Sequence, residues 1–210
     1  MGLALIAGCN QLIGFKDVKL EGDGGTGSDA HVDDASKDAA TDGPPPNLFT
    51  FVTDASFIGG FGATNGARVT ADIKCQDKYT MSFSSLGCTN IHAVIQVDDT
   101  VDSLARMKIT FPIPLTSEVK RATDATPVIN NWDAFVNPNV QLMAPISTGA
   151  PPQLFWSGRG VGSNLQCTNW TSSSSSVFGN AGDATKTNAW TSQANVTCDN
   201  FDEHLVCVCW

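Results

Sequence analysis

The chain has 210 residues, of which 41% are apolar, and its formal net charge is −9 with only 12 Lys and Arg residues. This length and apolar content suit one domain with a hydrophobic core and some additional chain. The acidic balance argues against electrostatic binding of nucleic acid or of anionic lipid. No apolar stretch reaches the roughly 18 residues that a membrane-spanning helix needs.

The first nine residues are typical of the end of a bacterial lipoprotein signal. The apolar run Leu5–Gly8 ends in small residues, and Cys9 follows as the residue that would carry the lipid. Met1–Gly8 lacks a basic start and is short for a signal peptide, so we expect the signal to begin upstream. The alternative is that Cys9 is a buried cysteine of a core strand. We expect residues 1–9 to be the lipoprotein signal and Cys9 to be lipidated.

Residues 10–46 are predicted to form a disordered tether, which includes His31. They contain eight acidic and three basic residues and end in three prolines. Such a segment has too few large apolar side chains to offset the entropy lost on ordering. Asn10, rather than an aspartate, follows Cys9, which favours the outer membrane. The sequence therefore predicts a lipid-anchored, surface-exposed envelope protein with a folded domain at 47–210.

The folded domain begins with an alternating pattern that predicts a strand over Leu48–Thr53. A Gly-rich loop follows at Gly59–Gly62. A helix is predicted over Ala63–Tyr79, with its alanines and Cys75 along one side. The rest of the domain combines short elements with long loops in the proline-rich stretch 110–165.

Polar caps and short apolar runs predict the remaining elements. A short helix is expected at Asp98–Met107, with Asp98 or Asp99 as its cap. Further strands are predicted at Ile91–Val97, Leu154–Trp156, Ala189–Thr191 and Leu205–Val208.

Six cysteines follow Cys9 in the chain: Cys75, Cys88, Cys167, Cys198, Cys207 and Cys209. An even number of cysteines in an exported chain predicts disulfides, although the sequence alone allows many connectivities. The alternative is a zinc site made by Cys198, Cys207 and Cys209, but their spacing does not match a zinc ribbon or knuckle. We therefore expect three disulfides, no metal and no other cofactor.

Several blocks of the domain point to a known family. They are Phe51–Thr53, Asn131–Asp133, Phe155–Gly158, Cys167–Ser172, Trp190, Cys198 and His204–Cys207. With these blocks, residues 48–208 resemble the endostatin-like domain of bacterial surface lipoproteins, which is similar to the C-type lectin-like fold of endostatin. The resemblance implies an α+β fold with an irregular antiparallel sheet, one or two helices and long loops.

The resemblance also implies how the cysteines pair. The implied pairs are Cys75–Cys207 and Cys167–Cys198, with Cys88–Cys209 left outside the four-cysteine pattern of the family. An exchange at the C-terminus, Cys75–Cys209 with Cys88–Cys207, stays open because Cys207 and Cys209 lie on the same face of a strand.

A non-catalytic domain that binds an extracellular protein or carbohydrate is the function that the resemblance implies. It does not imply heparin binding, because Lys120–Arg121 is the only adjacent basic pair in the domain. One alternative is an envelope hydrolase that uses His92 or His204 with a nearby aspartate. Another is a structural component of envelope assembly, which a large exposed apolar patch would favour.

Calcium is the cation to consider, because many C-type lectins bind sugar through it. Those lectins carry a Glu-Pro-Asn loop and a Trp-Asn-Asp strand, whereas here Asn137–Asn139 and Trp190–Ser192 match them only faintly. Asp199, Asp202 and Glu203 could form an accidental calcium site. We therefore expect no calcium cofactor.

Two further features are expected to be structural. Gly158–Gly162 precedes neither a helix nor a Lys-Ser/Thr pair, so it is predicted to be a turn rather than a phosphate loop. The tryptophans are expected to be core residues: Trp132, Trp156, Trp170, Trp190 and Trp210.

Overall fold

The computed structural model describes residues 46–159 and 165–210. Cys9, His31, residues 10–45 of the predicted tether and the end of the Gly158–Gly162 segment lie outside the described residues. The described part is a mixed α+β structure, as expected, but it has two sheets rather than the single irregular antiparallel sheet that the resemblance implies. Within the described ranges, no helix is long and apolar enough to cross a bilayer.

The strands of the described residues form one sheet of five and one of three. They are β1 (Leu48–Val52), β2 (Ile91–Ala93), β3 (Val119–Arg121), β4 (Pro127–Ile129), β5 (Leu154–Trp156), β6 (Phe178–Asp183), β7 (Ala194–Thr197) and β8 (Val206–Cys209). The larger sheet has the order β2-β8-β1-β3-β4 and the smaller β5-β6-β7. The β1–β3 pair is parallel, and the other named pairs are antiparallel.

One long helix and several short ones accompany the sheets. They are α1 (Ala67–Ser82), α2 (Met107–Thr110), α3 (Trp132–Phe135) and α4 (Cys167–Trp170), with 3-10 turns at Ser84–Leu86 and Leu104–Arg106.

The five-stranded sheet separates two apolar clusters, because side chains alternate between the faces of a strand. In β8, Val206 and Val208 pack into one cluster, whereas Cys207 and Cys209 pack into the other. A strand buried on both faces is a continuous apolar run, as the sequence of β8 is. The first cluster contains α3 and the second contains α1.

Helix α1 packs on β2 and β8 through one narrow face. Ala67, Ala71, Cys75 and Tyr79 are spaced by four residues and are buried. Residues at this spacing lie above one another on a helix, and the alanines allow close approach to the sheet. The helix begins at Ala67 rather than at the predicted Ala63, because the chain before it is a turn that ends at Gly66 with φ 82°.

Three disulfides cross-link the described residues: Cys75–Cys207, Cys88–Cys209 and Cys167–Cys198. The Cα atoms of each pair are 5.6 Å apart. Cys75–Cys207 and Cys167–Cys198 are the pairs that the resemblance implies, and Cys88–Cys209 is the pair that remains outside its pattern. The exchanged C-terminal pairing is not found. The zinc alternative is wrong, because the sulfur atoms of Cys198, Cys207 and Cys209 are all used in disulfides.

Two predicted elements around residue 97 are shorter than the sequence pattern indicates. The strand predicted over Ile91–Val97 ends at Ala93, because the Gln96 N–H donates to the Ser157 carbonyl rather than to the large sheet. The predicted Asp98–Met107 helix begins only at Leu104. Asp98 instead caps a turn, since its Oδ1 accepts the N–H groups of residues 100–102.

The strand predicted over Ala189–Thr191 is a turn. Ala189 has a positive φ of 46°, which does not fit a strand. The Trp190 carbonyl accepts the N–H of Asp183, which closes the β6–β7 connection. The strand that pairs with β6 lies three residues later, at Ala194–Thr197.

Candidate ligand-binding cleft

A cleft with several polar side chains lies between the three-stranded sheet and the loops that follow β2, α3 and β5. Its lining residues are Gln96, Pro138, Arg159, Leu165, Asn180, Ser192 and Asn195. Its volume of about 550 Å³ is within the range of small-molecule sites. A groove of about 250 Å³ continues it, because Pro138 and Arg159 line both.

The floor of the cleft carries a fixed amide pair from β6 and β7. Asn180 and Asn195 are direct cross-strand partners. One amide atom of Asn180 lies 3.1 Å from the carbonyl oxygens of both Thr191 and Arg159. Two carbonyls require a donor, so this atom is Nδ2. The Oδ1 of Asn180 then lies 3.1 Å from an amide atom of Asn195, which has to be Nδ2 in order to donate to it.

Gln96 lies in a loop at the edge of the cleft. Hydrogen bonds at its backbone N–H and at its backbone carbonyl hold it in place. Its N–H donates to the Ser157 carbonyl at 2.9 Å, and its carbonyl accepts Nε1–H of Trp170 at 2.9 Å. Its Nε2 donates to Asp99 Oδ1 at 2.6 Å. The same Asp99 oxygen accepts from Gln166 Nε2 at 2.8 Å. Gln96 therefore keeps Oε1 as an acceptor.

Arg159 is the cation of the cleft. It is half-buried, and its Nη1 donates to the carbonyl of Val136. Burial lowers the pKa of the Arg159 guanidinium from its ordinary value, although an arginine stays charged at neutral pH. Within residues 46–159 and 165–210, no carboxylate forms an ion pair with it. The nearby Lys108 and Asp133 pair with each other at 2.7 Å.

A left-handed turn contacts the Gln96 loop at the edge of the cleft. The four residues of α4, Cys167–Trp170, have φ between 48° and 62°. Left-handed backbone costs about 1–2 kcal/mol per non-glycine residue, so other contacts must hold the turn. The Cys167–Cys198 disulfide holds its start and the hydrogen bond from the Trp170 indole to Gln96 holds its end. The Trp170–Gln96 hydrogen bond therefore joins this turn to the Gln96 loop.

Gly158 brings the segment before Arg159 close to the same loop. Its φ is 66°, and a Cβ atom there would collide with the carbonyl of Gln96 and with the ring of Trp170. Glycine is the residue that meets both demands. The backbone before Arg159 therefore packs directly on the Gln96 loop.

The two segments that faintly match calcium lectins, Asn137–Asn139 and Trp190–Ser192, each contribute one residue to the cleft. Pro138 and Ser192 both line the cleft. Glu203 is fully buried, whereas Asp199 and Asp202 are exposed, so these three carboxylates do not converge. Among the residues that the structure describes, no group of three His, Cys, Asp or Glu side chains could hold a metal ion.

The two histidines of the hydrolase alternative lie away from the cleft lining. His92 Nδ1 is 2.9 Å from Asp72 Oδ2, and its ring stacks on Phe111 at a centroid distance of 3.8 Å. His204 Nδ1 donates to the carbonyl of Thr53 at 2.7 Å. An aspartate does lie beside His92, but no serine, threonine or cysteine side chain of the described residues hydrogen-bonds to either imidazole.

The five tryptophans are all buried, as the sequence analysis expects. Their rings fill the two apolar clusters rather than the surface. They therefore serve as core residues and do not line the cleft.

Sequence reasoning missed the amides of the cleft, Gln96, Asn180 and Asn195. Neutral amides have no diagnostic spacing, unlike metal ligands or catalytic motifs. One signal was present, because Ala194–Thr197 alternates apolar and polar residues as a half-buried strand does. Assigning that strand would have indicated a hairpin with the preceding Gly-containing segment.

Comparisons with known proteins do not identify a family for this chain. A scan against protein-family models finds no match to this chain, and a search of curated proteins finds no match either.

Proposed function

We propose that this chain is a lipid-anchored cell-envelope protein whose C-type lectin-like domain binds an extracellular protein or glycan without catalysis. The observation that carries the proposal is the cleft: fixed amides surround an arginine that no described carboxylate neutralises. Such convergent, preorganised polar groups are typical of binding sites. The histidines that a hydrolase would use lie elsewhere.

The C-type lectin-like assignment is supported by the disulfides and by the α+β architecture. Cys75 of the long helix is bonded to Cys207 of the last strand, the pairing that the resemblance implies. Cys167 and Cys198 form the second pair of the family pattern. The fold alone does not identify the ligand.

The oxidised cysteines support a location outside the cytoplasm. All cysteines of the described residues are in disulfides, which persist in oxidising compartments. The proposal places the protein on the outer membrane, with Cys9 as the lipidated residue. In the organism that makes it, Cys9→Ala should move the protein from the membrane fraction to the soluble fraction. An unchanged membrane fraction would contradict lipid anchoring through Cys9.

Ligand binding can be tested on arrays of extracellular proteins and glycans. The oxidised wild-type chain should bind at least one component. Asn195→Ala should weaken that binding about tenfold, as expected for loss of a hydrogen bond that the bound ligand covers. Gln141→Ala, at an exposed amide that lies neither in the cleft lining nor on α1, is the matched control and should bind normally. Equal binding by wild type and Asn195→Ala would show that the ligand does not use the cleft.

A structural role in envelope assembly is the second candidate, and the surface of α1 favours it. Val69 and Ile73 lie one turn apart on the helix and are 53% and 50% exposed; Met81, 74% exposed, lies two turns further on, beyond the exposed Asp77. Neighbouring exposed apolar side chains mark interaction surfaces more often than isolated ones do. If this candidate is correct, Ile73→Asp should abolish recovery of a cross-linked envelope partner, whereas Asn195→Ala should leave it unchanged.

A further inference from the structure

We propose that the cleft binds an acidic saccharide, with Arg159 paired to the carboxylate of the ligand and the amides bound to its hydroxyl groups. This inference rests on the proposed function and specifies the class of its ligand. It follows from the charge of the cleft, from its hydrogen-bonding groups and from its apolar wall.

The charge of the cleft favours one negative group on the ligand. A guanidinium has five N–H donors, and the described contacts use one of them, on the carbonyl of Val136. None of the described residues that line the larger cavity is acidic, and Asp133 in the adjoining groove is already paired with Lys108. A carboxylate can accept two parallel hydrogen bonds from an arginine, which neutral ligands cannot match.

The amides of the cleft suit the hydroxyl groups of a sugar. Each hydroxyl both donates and accepts, and the cleft offers both kinds of group. Gln96 keeps an acceptor oxygen because Asp99 holds its nitrogen. Ser192 and Asn195 have exposed side chains, and the buried amide of Asn180 holds both, at 3.3 Å from the Ser192 hydroxyl and 3.1 Å from the Asn195 amide. These groups are held before a ligand arrives, so less conformational freedom is lost on binding.

The remaining lining is apolar and fits the C–H face of a sugar ring. Pro138 and Leu165 supply this surface. The cleft therefore combines apolar contact with a few fixed polar groups, which is the usual composition of a small-ligand site.

A highly charged polyanion fits this surface less well. Among the described lining residues of the cleft, Arg159 is the single cation. The folded domain, residues 47–210, has 13 acidic and 9 basic residues, so it repels a polyanion at longer range. The ligand is therefore a sugar with an isolated carboxylate rather than a sulfated chain.

Matched sugars that differ by one carboxylate test the inference. The oxidised full-length chain is titrated calorimetrically with methyl glucuronide and methyl glucoside, and with sialyllactose and lactose. We expect each acidic sugar to bind at least about tenfold more tightly than its neutral counterpart, because a charged hydrogen-bonded pair contributes this much. Addition of a chelator should leave the affinity unchanged.

Variants at Arg159 test whether this residue binds the carboxylate of the sugar. Arg159→Gln should weaken binding of the acidic sugars about 10- to 100-fold and leave the neutral ones unaffected. Arg159→Lys should restore part of the preference, because it keeps the charge but not the planar fork. Arg106→Gln, a change at an exposed arginine, is the matched control and should change nothing.

The outcomes separate this inference from the proposed function. Equal affinity for acidic and neutral sugars, or full retention of binding by Arg159→Gln, overturns the acidic saccharide. Binding of an array protein without any acidic sugar also overturns it but leaves the binding function intact. Failure to bind any protein or glycan overturns both.

Discussion

A buried glutamate makes the stability of this domain depend on pH. Glu203 is 0% exposed, its Oε1 accepts Nδ2–H of Asn200 at 3.0 Å, and its Oε2 has no hydrogen-bond partner. Burial, with a smaller contribution from the charge of Asp202, raises the pKa of Glu203 from 4.5 to about 7. The folded protein therefore holds this carboxyl protonated at pH values where the unfolded chain is ionised.

The direction of the pH dependence follows from that difference. Below pH 4.5 the carboxyl is protonated in both states, so the native state loses nothing. As the pH rises from 4.5 to about 7, the unfolded chain releases the proton first and the native state becomes relatively less stable. A pKa unit corresponds to about 1.4 kcal/mol, so the loss is about 1–3 kcal/mol above pH 7 after local relaxation is allowed for.

Glu203→Gln removes the titration and preserves the shape of the side chain. The glutamine Oε1 can still accept from Asn200, so the variant should match wild type near pH 4.5. Near pH 8 it should be more stable by about 1–3 kcal/mol, because no charge has to be buried or neutralised. Urea unfolding at the two pH values, with the disulfides intact, measures both differences.

Glu118→Gln is the control for a change of charge at a less buried site. Its side chain is 38% exposed, so its effect should stay within about 0.5 kcal/mol. The same stability change for Glu203→Gln at both pH values would refute the reasoning, because it would mean that Glu203 does not titrate differently in the native state. A destabilised variant at the higher pH would refute it as well.

Three further predictions concern the framework. Replacing Cys75 and Cys207 with alanine opens a loop of 132 residues and should lower the unfolding free energy by about 4–5 kcal/mol, measured by denaturant unfolding; a loss below about 1 kcal/mol would contradict this. Gly179→Ala places a Cβ 2.6 Å from the Trp156 ring and should lower the melting temperature, at about 1–3 kcal/mol; an unchanged melting temperature would contradict it. Backbone hydrogen bonds, the largest from Val101, lower the pKa of Asp98 below 3.8, so Asp98→Ala should destabilise at neutral pH. That difference should shrink as the pH falls below 3.8, and pH-dependent melting that shows no such trend would count against it.

The sequence predicts the parts of the fold that follow a simple period. The strand at Leu48–Val52 and the four-residue spacing of buried residues in α1 match the prediction. Helix α1 places one apolar face against the core, whereas β1 is buried on both faces, with Leu48 in one apolar cluster and Phe51 in the other. The disulfide framework also agrees with the expectation from the resemblance. These features depend on local pattern and on cysteine chemistry.

The smaller sheet depends on contacts that local pattern does not contain. β6 reads Phe-Gly-Asn-Ala-Gly-Asp, which lacks the β-branched residues that favour strands. Its glycines are needed because the rings of Phe155 and Trp156 in β5 lie against them. The left-handed turn of α4 is likewise maintained by a disulfide and a distant hydrogen bond. Tertiary contacts therefore set both elements.

The cleft could be predicted least well, because its residues come from segments far apart in the chain. Gln96, Arg159 and Asn180 belong to three different parts of the fold and share no motif. In the sequence, Pro138 and Ser192 belong to segments that match calcium-lectin segments only faintly. The structure brings them to one cleft without the carboxylates that calcium requires.

The most direct test of the central claim is a nuclear magnetic resonance titration of the isotope-labelled, oxidised full-length chain with the array ligand that binds it best. If the cleft is the binding site, the side-chain amide signals of Gln96, Asn180 and Asn195 should shift together and saturate at one affinity. Shifts confined to α1, with these three amides unchanged, would contradict binding in the cleft and favour an assembly role.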